Sequence, residues 1–187
     1  EAAIQLIRNA LSAGIKAGCV LMDTWFTNEP FIANILAEGL DVIGMLKDNK
    51  QRYIYKGKKY NLKQLGKLVS FHKPGDILFS IQVRTGKQNI PVKLVFVRNR
   101  NKRSEYIVLL STDCTLSSGE IVRRYGNRWS IELFFRAGKS LLDLGSEFQG
   151  LSYDMTVSST AIVFTRYILL EWLRRKKNDD TTICKIF

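Results

Sequence analysis

The chain has 187 residues, of which 45% are hydrophobic, and its formal net charge is +12. This length supports one or two compact units with a hydrophobic core. Three widely spaced cysteines and a single histidine argue against a disulfide framework, a zinc site and a histidine-based triad, and they favour a reducing cytoplasm. The sequence offers no long uncharged apolar stretch, so we expect no membrane partner. Any catalysis must therefore use carboxylates.

The positive charge is concentrated in the middle of the chain. Residues 46–115 contain 16 Lys and Arg against 4 Asp and Glu, whereas the rest contains 13 of each kind. Such segregation is typical of a surface that binds a polyanion, and it favours nucleic acid. Within this segment, residues 98–103 are predicted to form a basic hairpin loop that contacts a phosphate backbone through Arg98, Arg100, Lys102 and Arg103.

The first 46 residues follow the pattern of an α/β layer. Apolar residues at helical spacing predict a helix over residues 1–17, and short apolar runs predict strands at residues 19–22 and 41–46. Between the strands, Asn28 is predicted to cap a second helix. Asp23 directly follows the first strand, and ligands gather at the carboxyl ends of strands in such sheets. This position marks Asp23 as a candidate site residue.

From residue 47 the pattern becomes β-rich. It predicts strands over residues 52–55, 77–85, 91–98 and 105–111, and a helix over residues 61–69. Because the same segment holds the surplus charge, we expect a basic β-rich insertion at residues 47–115. The core would then consist of residues 1–46 and 116–187. Ser117 is predicted to cap a helix in the second core segment, and a further helix is predicted over residues 156–177.

A single helix over residues 125–139 would place five polar side chains on one face, at about 100° per residue. They are Tyr125, Arg128, Glu132, Arg136 and Lys139. One interpretation is a salt-bridged surface stripe. The other is that Glu132 and Asp23 act together beside a phosphate-binding surface, as Mg²⁺-dependent phosphoryl transfer requires. Spacing alone leaves both open.

The spacing of Tyr125, Arg128, Glu132 and Lys139 resembles the Tyr-Arg-Glu-Lys signature of DDE-type bacterial insertion-sequence transposases of the insertion sequence 4 type. The stretch VLMDTWF around Asp23 resembles that family's motif for its second catalytic aspartate. The resemblance implies an α/β fold of the RNase H-like, retroviral integrase type. It also implies Mg²⁺- or Mn²⁺-dependent cleavage and strand transfer at the ends of a mobile element, that is, DNA transposition and recombination.

Carried over by position, the resemblance makes Asp23 and Glu132 catalytic residues and metal ligands. Arg128 and Lys139 would contact DNA near the cleaved strand, with support from Tyr125, and Arg136 is a further candidate for DNA contact. The implied partner is double-stranded DNA at transposon ends and targets. A homodimer in the full-length protein and a place in the bacterial cytoplasm with the nucleoid are also implied.

Two features depart from the family pattern. The first aspartate of the triad has no counterpart, since the only acidic residue before Asp23 is Glu1. We therefore expect the C-terminal catalytic part of a transposase, with a fold incomplete at its N-terminus and no cleavage activity alone. The basic segment also lacks the tryptophan that some relatives use to stack a flipped base. Trp25 and Trp129, which flank the candidate residues, are expected to pack.

Two alternatives remain open from the sequence. The chain could be a non-catalytic DNA-binding remnant of a transposase, which keeps the basic segment but needs no carboxylate triad. It could also be an RNase H-like nuclease that hydrolyses DNA without strand transfer. Joining of a 3′ end to target DNA distinguishes the transposase from the nuclease.

Overall fold

The computed structural model describes residues 2–69, 74–145 and 152–176. The elements within these ranges are α1 Ala2–Ser12, β1 Cys19–Met22, α2 Glu29–Ala37, β2 Asp41–Leu46, β3 Tyr53–Tyr55, β4 Lys58–Tyr60, α3 Leu62–Gly66, β5 Ile77–Thr85, β6 Pro91–Arg98, β7 Tyr106–Ser111, α4 Ser118–Gly126, α5 Trp129–Leu141 and α6 Tyr153–Lys176. The chain forms two compact units, Glu1–Asn127 and Arg128–Phe187. The predicted mixed α/β class is confirmed.

The first unit is built on one seven-stranded sheet with the order β1-β2-β7-β6-β5-β3-β4. Strands β1 and β2 are connected through α2, as the sequence predicts, and the structure shows that they are parallel. All other neighbouring strands are antiparallel. Asn28 caps α2, since its side-chain oxygen accepts the Phe31 N–H at 3.1 Å. The capping oxygen satisfies one of the N–H groups that a helix start leaves unpaired.

The basic segment continues the same sheet. Strand β7 pairs with β2 from Ile43–Ser111 to Leu46–Val108, so β2 has a neighbour on each side. Strand β4, which the sequence pattern did not predict, returns from β3 through a tight turn at Lys56 and Gly57. The division into a core of residues 1–46 and 116–187 and an insertion of residues 47–115 stays a prediction. The RNase H-like assignment also stays a prediction.

Apolar clusters cover both faces of the sheet. Alternate residues of β6 enter different clusters: Leu94 and Phe96 face the cluster that also contains Ile32 of α2, whereas Val95 faces the cluster that contains Ile121 of α4. All five side chains are fully or almost fully buried. A strand covered on both faces reads as a continuous apolar run, and this explains the sequence of β6.

The second unit contains α5 and α6 in its described part. The Phe134 ring lies edge-on to Phe164 and Tyr167, with centroid separations of 4.9 and 4.7 Å. The predicted last helix is present, and residue 177 of that prediction lies outside the described residues. Within the described ranges, we find no helix with the length and apolar content to cross a membrane.

The prediction of one helix over residues 125–139 is wrong. Helix α4 ends at Gly126, and α5 begins at Trp129. Asn127 is the C-cap of α4, and its N–H donates to the carbonyl groups of Arg124 and Tyr125. The physical reason is in the sequence, because Gly126 and Asn127 are poor helix formers and common helix stops. Only the part of the predicted stripe on α5 keeps a common helical face.

Candidate active site

Asp23 directly follows the carboxyl end of β1, and its side chain stabilises the turn that begins there. Its Oδ1 accepts the backbone N–H of Trp25 at 2.9 Å and that of Phe26 at 3.4 Å. An aspartate that bonds the backbone two residues ahead forms an Asx turn, which fixes the carboxylate without a tertiary contact. Among the residues that the structure describes, no hydrogen-bond donor reaches Oδ2. Asp23 therefore presents one oriented oxygen that can take a ligand.

Thr27 stabilises the Asp23 turn through two hydrogen bonds to the Asp23 carbonyl. Its N–H and its hydroxyl donate to the Asp23 carbonyl at 3.2 and 2.5 Å, respectively. The Thr27 side chain is only 3% exposed and lies against Gly44 of β2, which pairs with Met22. Sequence reasoning missed Thr27. The available signal was a glycine inside an apolar strand, which often marks a close approach by another part of the chain.

The expectation that Trp25 and Trp129 pack is wrong. Trp25 is 86% exposed although it directly follows the Asp23 turn, and Trp129 is 51% exposed. Phe26 is also partly exposed, and its ring lies 5.6 Å from that of Phe31. The Asp23 turn therefore carries a large aromatic side chain on the surface of the first unit.

The basic loop follows a strand that runs in the same direction as β1. Because β7 is antiparallel to both β2 and β6, the carboxyl ends of β1, β2 and β6 meet at one edge of the sheet. Asp23 and the loop at residues 98–103 consequently leave the sheet at the same edge. The strand order separates β1 from β6 by two intervening strands, each step being about 4.8 Å.

The side chains of this loop have different roles. Arg98 closes the loop, since its Nη1 donates to the Arg103 carbonyl at 3.2 Å. Lys102 pairs with Glu105 at 3.2 Å. Arg100 and Arg103 are exposed, and neither has an acidic partner within the described part of the chain. These two cations are the best placed in the loop to contact an external phosphate.

Glu132 lies in the first turn of α5 and is paired with Arg128. The Arg128 Nη2 donates to Glu132 Oε1 at 2.5 Å, and the two side chains are 25% and 38% exposed. The second oxygen, Oε2, has no hydrogen bond to any described residue. The pair therefore orients the carboxylate and leaves one oxygen for a ligand, as the turn does for Asp23.

Arg136 and Lys139 continue the Glu132 face of α5. They follow Glu132 by four and seven residues, which is about +40° and −20° around a helix. Both side chains are exposed. Arg136 also lines a pocket of about 620 Å³ inside the second unit, together with Glu171 of α6. Two cations therefore share the exposed face of α5 with the Glu132 carboxylate.

Tyr125 lies near the end of α4, in the first unit. It is half-buried and packs against the apolar cluster that contains Ile121 and Val95. Asp23, Tyr125 and the basic loop thus belong to the first unit, whereas the other predicted site residues belong to the second. The described residues contain no group of three His, Cys, Asp or Glu side chains that could hold a metal ion.

One comparison with known proteins identifies the chain. A family model described as "Transposase DDE domain" matches residues 1–148, which is most of the 187 residues. The matched range contains both Asp23 and Glu132. A search of curated proteins found no match. The extent of the family match decides the question: the chain belongs to the transposase DDE domain family.

Proposed function

We propose that this chain is the catalytic part of a transposase that cleaves DNA at transposon ends and joins the freed 3′ end to target DNA. The observation that carries the proposal is the family match over residues 1–148, because it includes both candidate carboxylates. Membership of the family implies a DNA substrate and transposition.

In this proposal, Asp23 and Glu132 are the second and third carboxylates of the catalytic triad. Each is held by a bond within its own unit, Asp23 through Trp25 N–H and Glu132 through Arg128. Each also keeps a second oxygen without a partner among the described residues. A carboxylate that is held through one oxygen and open at the other suits the role of a metal ligand. Because its orientation is already fixed, binding of a metal ion to the open oxygen does not require the side chain to move.

The donor chemistry of these two residues fits Mg²⁺ or Mn²⁺, which take hard oxygen ligands from few carboxylates. Asp23 and Glu132 would hold the ion. When bound, such an ion stabilises the attacking and leaving oxygens of a phosphodiester during displacement. The residues themselves supply fixed negative oxygens, and nearby cations supply the counter-charge that a phosphate requires.

The cations around Glu132 have a positioning role in the proposal. Arg128 orients Glu132, and the exposed Lys139 and Arg136 of α5 can bind the DNA backbone through charge-assisted hydrogen bonds. Tyr125 packs against an apolar cluster of the first unit, and its supporting role in DNA binding is proposed from the Tyr-Arg-Glu-Lys spacing alone. In the basic loop, Arg100 and Arg103 are proposed to contact the DNA backbone directly. Lys102 is proposed to contact the backbone while it remains paired with Glu105. Arg98 is proposed to act by holding the shape of the loop.

We also propose the transposase type, the fold of the core, the oligomeric state and the cellular location of the protein. The Tyr-Arg-Glu-Lys spacing supports the insertion sequence 4 type, and the parallel β1–β2 pair with a connecting helix suits an RNase H-like core. A homodimer on paired DNA ends and a place in the bacterial cytoplasm with the nucleoid follow from that assignment. Because no aspartate precedes Asp23 in these residues, we propose that the 187 residues bind DNA but do not cleave it by themselves.

The test measures nicking and 3′-end joining of DNA that carries the element's ends, in Mg²⁺ or Mn²⁺, by the protein encoded by the complete reading frame. Asp23→Asn and Glu132→Gln should abolish both steps while DNA binding is kept. The loss should exceed the roughly 10–100-fold effect of changing a residue that only supports a metal ligand. The 187 residues alone serve as the binding-only comparison.

Each alternative predicts a different outcome. A non-catalytic remnant would bind DNA in both forms and cleave with neither. A hydrolytic nuclease would cleave but would not join the 3′ end to target DNA. Cleavage that survives both carboxylate substitutions would refute the assignment of Asp23 and Glu132.

A further inference from the structure

A cation-lined groove lies in the first unit, and its lining contains none of the candidate catalytic or DNA-binding residues that the sequence predicts. Its volume is about 630 Å³. Its wall includes Lys50 and Arg52 from the segment between β2 and β3, Lys59 from β4, and Lys87 from the β5–β6 turn. The four cations come from three separate segments, so only the folded sheet brings them together.

The charge of this groove is not neutralised by the protein. All four cations are exposed, and none has an acidic partner among the residues that the structure describes. The one carboxylate in the lining, Glu29, is only 5% exposed and accepts the N–H groups of Lys87 and Gln88 at 2.9 and 2.5 Å. Glu29 is therefore committed to holding the β5–β6 turn.

Two further features of the wall favour an anion. The start of α2 contributes Asn28 and Glu29 to the lining, and the N-terminal end of a helix carries partial positive charge. In the same wall, Gln51 Nε2 is buried and has no hydrogen-bond partner within the described ranges. An unpaired buried donor is unfavourable, so a rotation of Gln51 towards a bound phosphate would satisfy it.

We propose that this groove binds the phosphodiester backbone of the DNA substrate, as a contact surface separate from the basic loop at residues 98–103. The inference rests on the proposed function for its choice of polyanion. A volume of about 630 Å³ is in the range of small-ligand pockets, about 300–1,000 Å³, so the groove takes a short stretch of one strand and not a whole duplex.

The spread of the cations favours an extended polyanion over a single phosphate. Lys59 and Lys87 belong to different hairpins, and Lys50 and Arg52 extend the lining along the segment before β3. A backbone that carries a charge at each nucleotide matches such a series of cations. Contacts of this kind position DNA without reading its sequence.

The experiment measures the affinity of the 187-residue chain for a fluorescein-labelled duplex of transposon-end DNA, by anisotropy, over a series of salt concentrations. The groove variant carries Lys50→Gln, Arg52→Gln, Lys59→Gln and Lys87→Gln. The matched control carries Lys16→Gln, Lys56→Gln, Lys58→Gln and Lys67→Gln, which removes the same charge from exposed positions outside the groove lining. Thermal unfolding checks that both variants remain folded.

In the groove variant, the slope of log K against log salt should become shallower by about 0.9 for each phosphate that the protein no longer neutralises. Affinity near 0.1 M salt should fall by about a hundredfold or more, and the control should change far less. If the quadruple variant does not fold, the four single variants should each reduce the slope by about one. The groove variant should show the same reduction in slope on unrelated duplex DNA.

The outcomes separate the two proposals. If the unmodified chain does not bind DNA, both the proposed function and the groove are refuted. If the unmodified chain binds but the groove variant and the control lose equal affinity, the groove alone is refuted, because only total charge matters. The groove would also be refuted if the Arg100 and Arg103 variants lost DNA binding and the groove variant did not, because the backbone contact would then belong to the loop.

Discussion

Thr27 occupies the space that any side chain at Gly44 would need. A β-carbon on Gly44 would lie 2.7 Å from Thr27 Cγ2 and nearer still to its hydroxyl oxygen. The same hydroxyl donates to the Asp23 carbonyl at 2.5 Å. A glycine in the middle of β2 is thus connected, through one buried side chain, to the turn that orients the Asp23 carboxylate.

Gly44→Ala should destabilise the first unit and disturb the Asp23 turn. The added methyl group must displace Thr27 or the strand, and overpacking of this kind costs about 1–3 kcal/mol. The free energy of unfolding, from urea denaturation, measures the loss. Gly119→Ala is the control, because its site in α4 is open and alanine favours a helix by about 0.5–1 kcal/mol. An equal loss at both positions would contradict the Thr27 contact.

Glu29→Ala should destabilise the protein by at least about 1–3 kcal/mol, because it leaves two N–H groups of the β5–β6 turn without their acceptor. Denaturant unfolding measures the loss, and amide exchange at Lys87 and Gln88 should quicken. Glu29→Gln keeps an acceptor oxygen for these N–H groups, so it should lower the free energy of unfolding by less than Glu29→Ala does. Lys87→Gln is a second control, since it retains the backbone N–H and should leave stability almost unchanged. Unchanged exchange in Glu29→Ala would refute this role.

The stability of α4 should depend on acid pH through Glu120. The Arg123 guanidinium, and then that of Arg124, donates to the Glu120 carboxylate, and these bonds lower its pKa from 4.5 to about 2. A lowered pKa in the folded state adds stability above pH 4.5, and this stability is lost as the pH falls from about 4.5 to about 2. The Glu120 carboxylate is accessible to solvent, so the effect is small.

Glu120→Gln provides the measurement. Thermal unfolding between pH 2 and pH 7 should show a difference between the two proteins that is constant at neutral pH and disappears towards about pH 2. A carboxylate titration by NMR should place the Glu120 midpoint near the same value. A difference that persists unchanged at the lowest pH would show that the glutamine acts by another route, such as helix propensity.

Arg128→Gln should separate stability from activity. The Arg128–Glu132 pair is partly exposed, so its loss should cost about 1 kcal/mol or less. Because Arg128 is proposed to orient Glu132, a proposed metal ligand, cleavage by the protein from the complete reading frame should fall by roughly 10–100-fold, as when a residue that supports a metal ligand is changed.

Arg8→Gln is the matched control for this substitution. It also removes one arginine from a surface ion pair, with Glu38 at 2.7 Å, but Arg8 lies on α1 and has no proposed role. Its stability loss should be similar, and its cleavage rate should stay at the level of the unmodified protein. Equal losses of cleavage in both variants would remove the case for a special role of Arg128.

Local sequence signals predicted much of the first unit. The caps at Asn28 and Ser117 and the strands at residues 19–22, 41–46, 77–85 and 91–98 are present. These features depend on side chains that bond to nearby backbone or on apolar runs that must be buried, so the sequence contains their cause.

The features that sequence reasoning missed depend on tertiary contact or on a short local signal that competes with a longer regular pattern. Thr27 gains its role only when Gly44 lies against it. The break between α4 and α5 was visible as Gly126-Asn127, but the regular spacing of Glu132 and its neighbours favoured a continuous helix. The groove cations are not near one another in sequence, so no local pattern could identify them as a group.

The position of β7 has a consequence for synthesis of the protein. Strand β2 gains this neighbour only when residues 106–111 have left the ribosome, about sixty residues after β2 itself. Until then one edge of β2 has no partner from the basic segment, and an open strand edge invites pairing with other chains. Production of the protein should therefore be sensitive to translation rate across residues 47–105. Slower translation there should raise the share of aggregated chain.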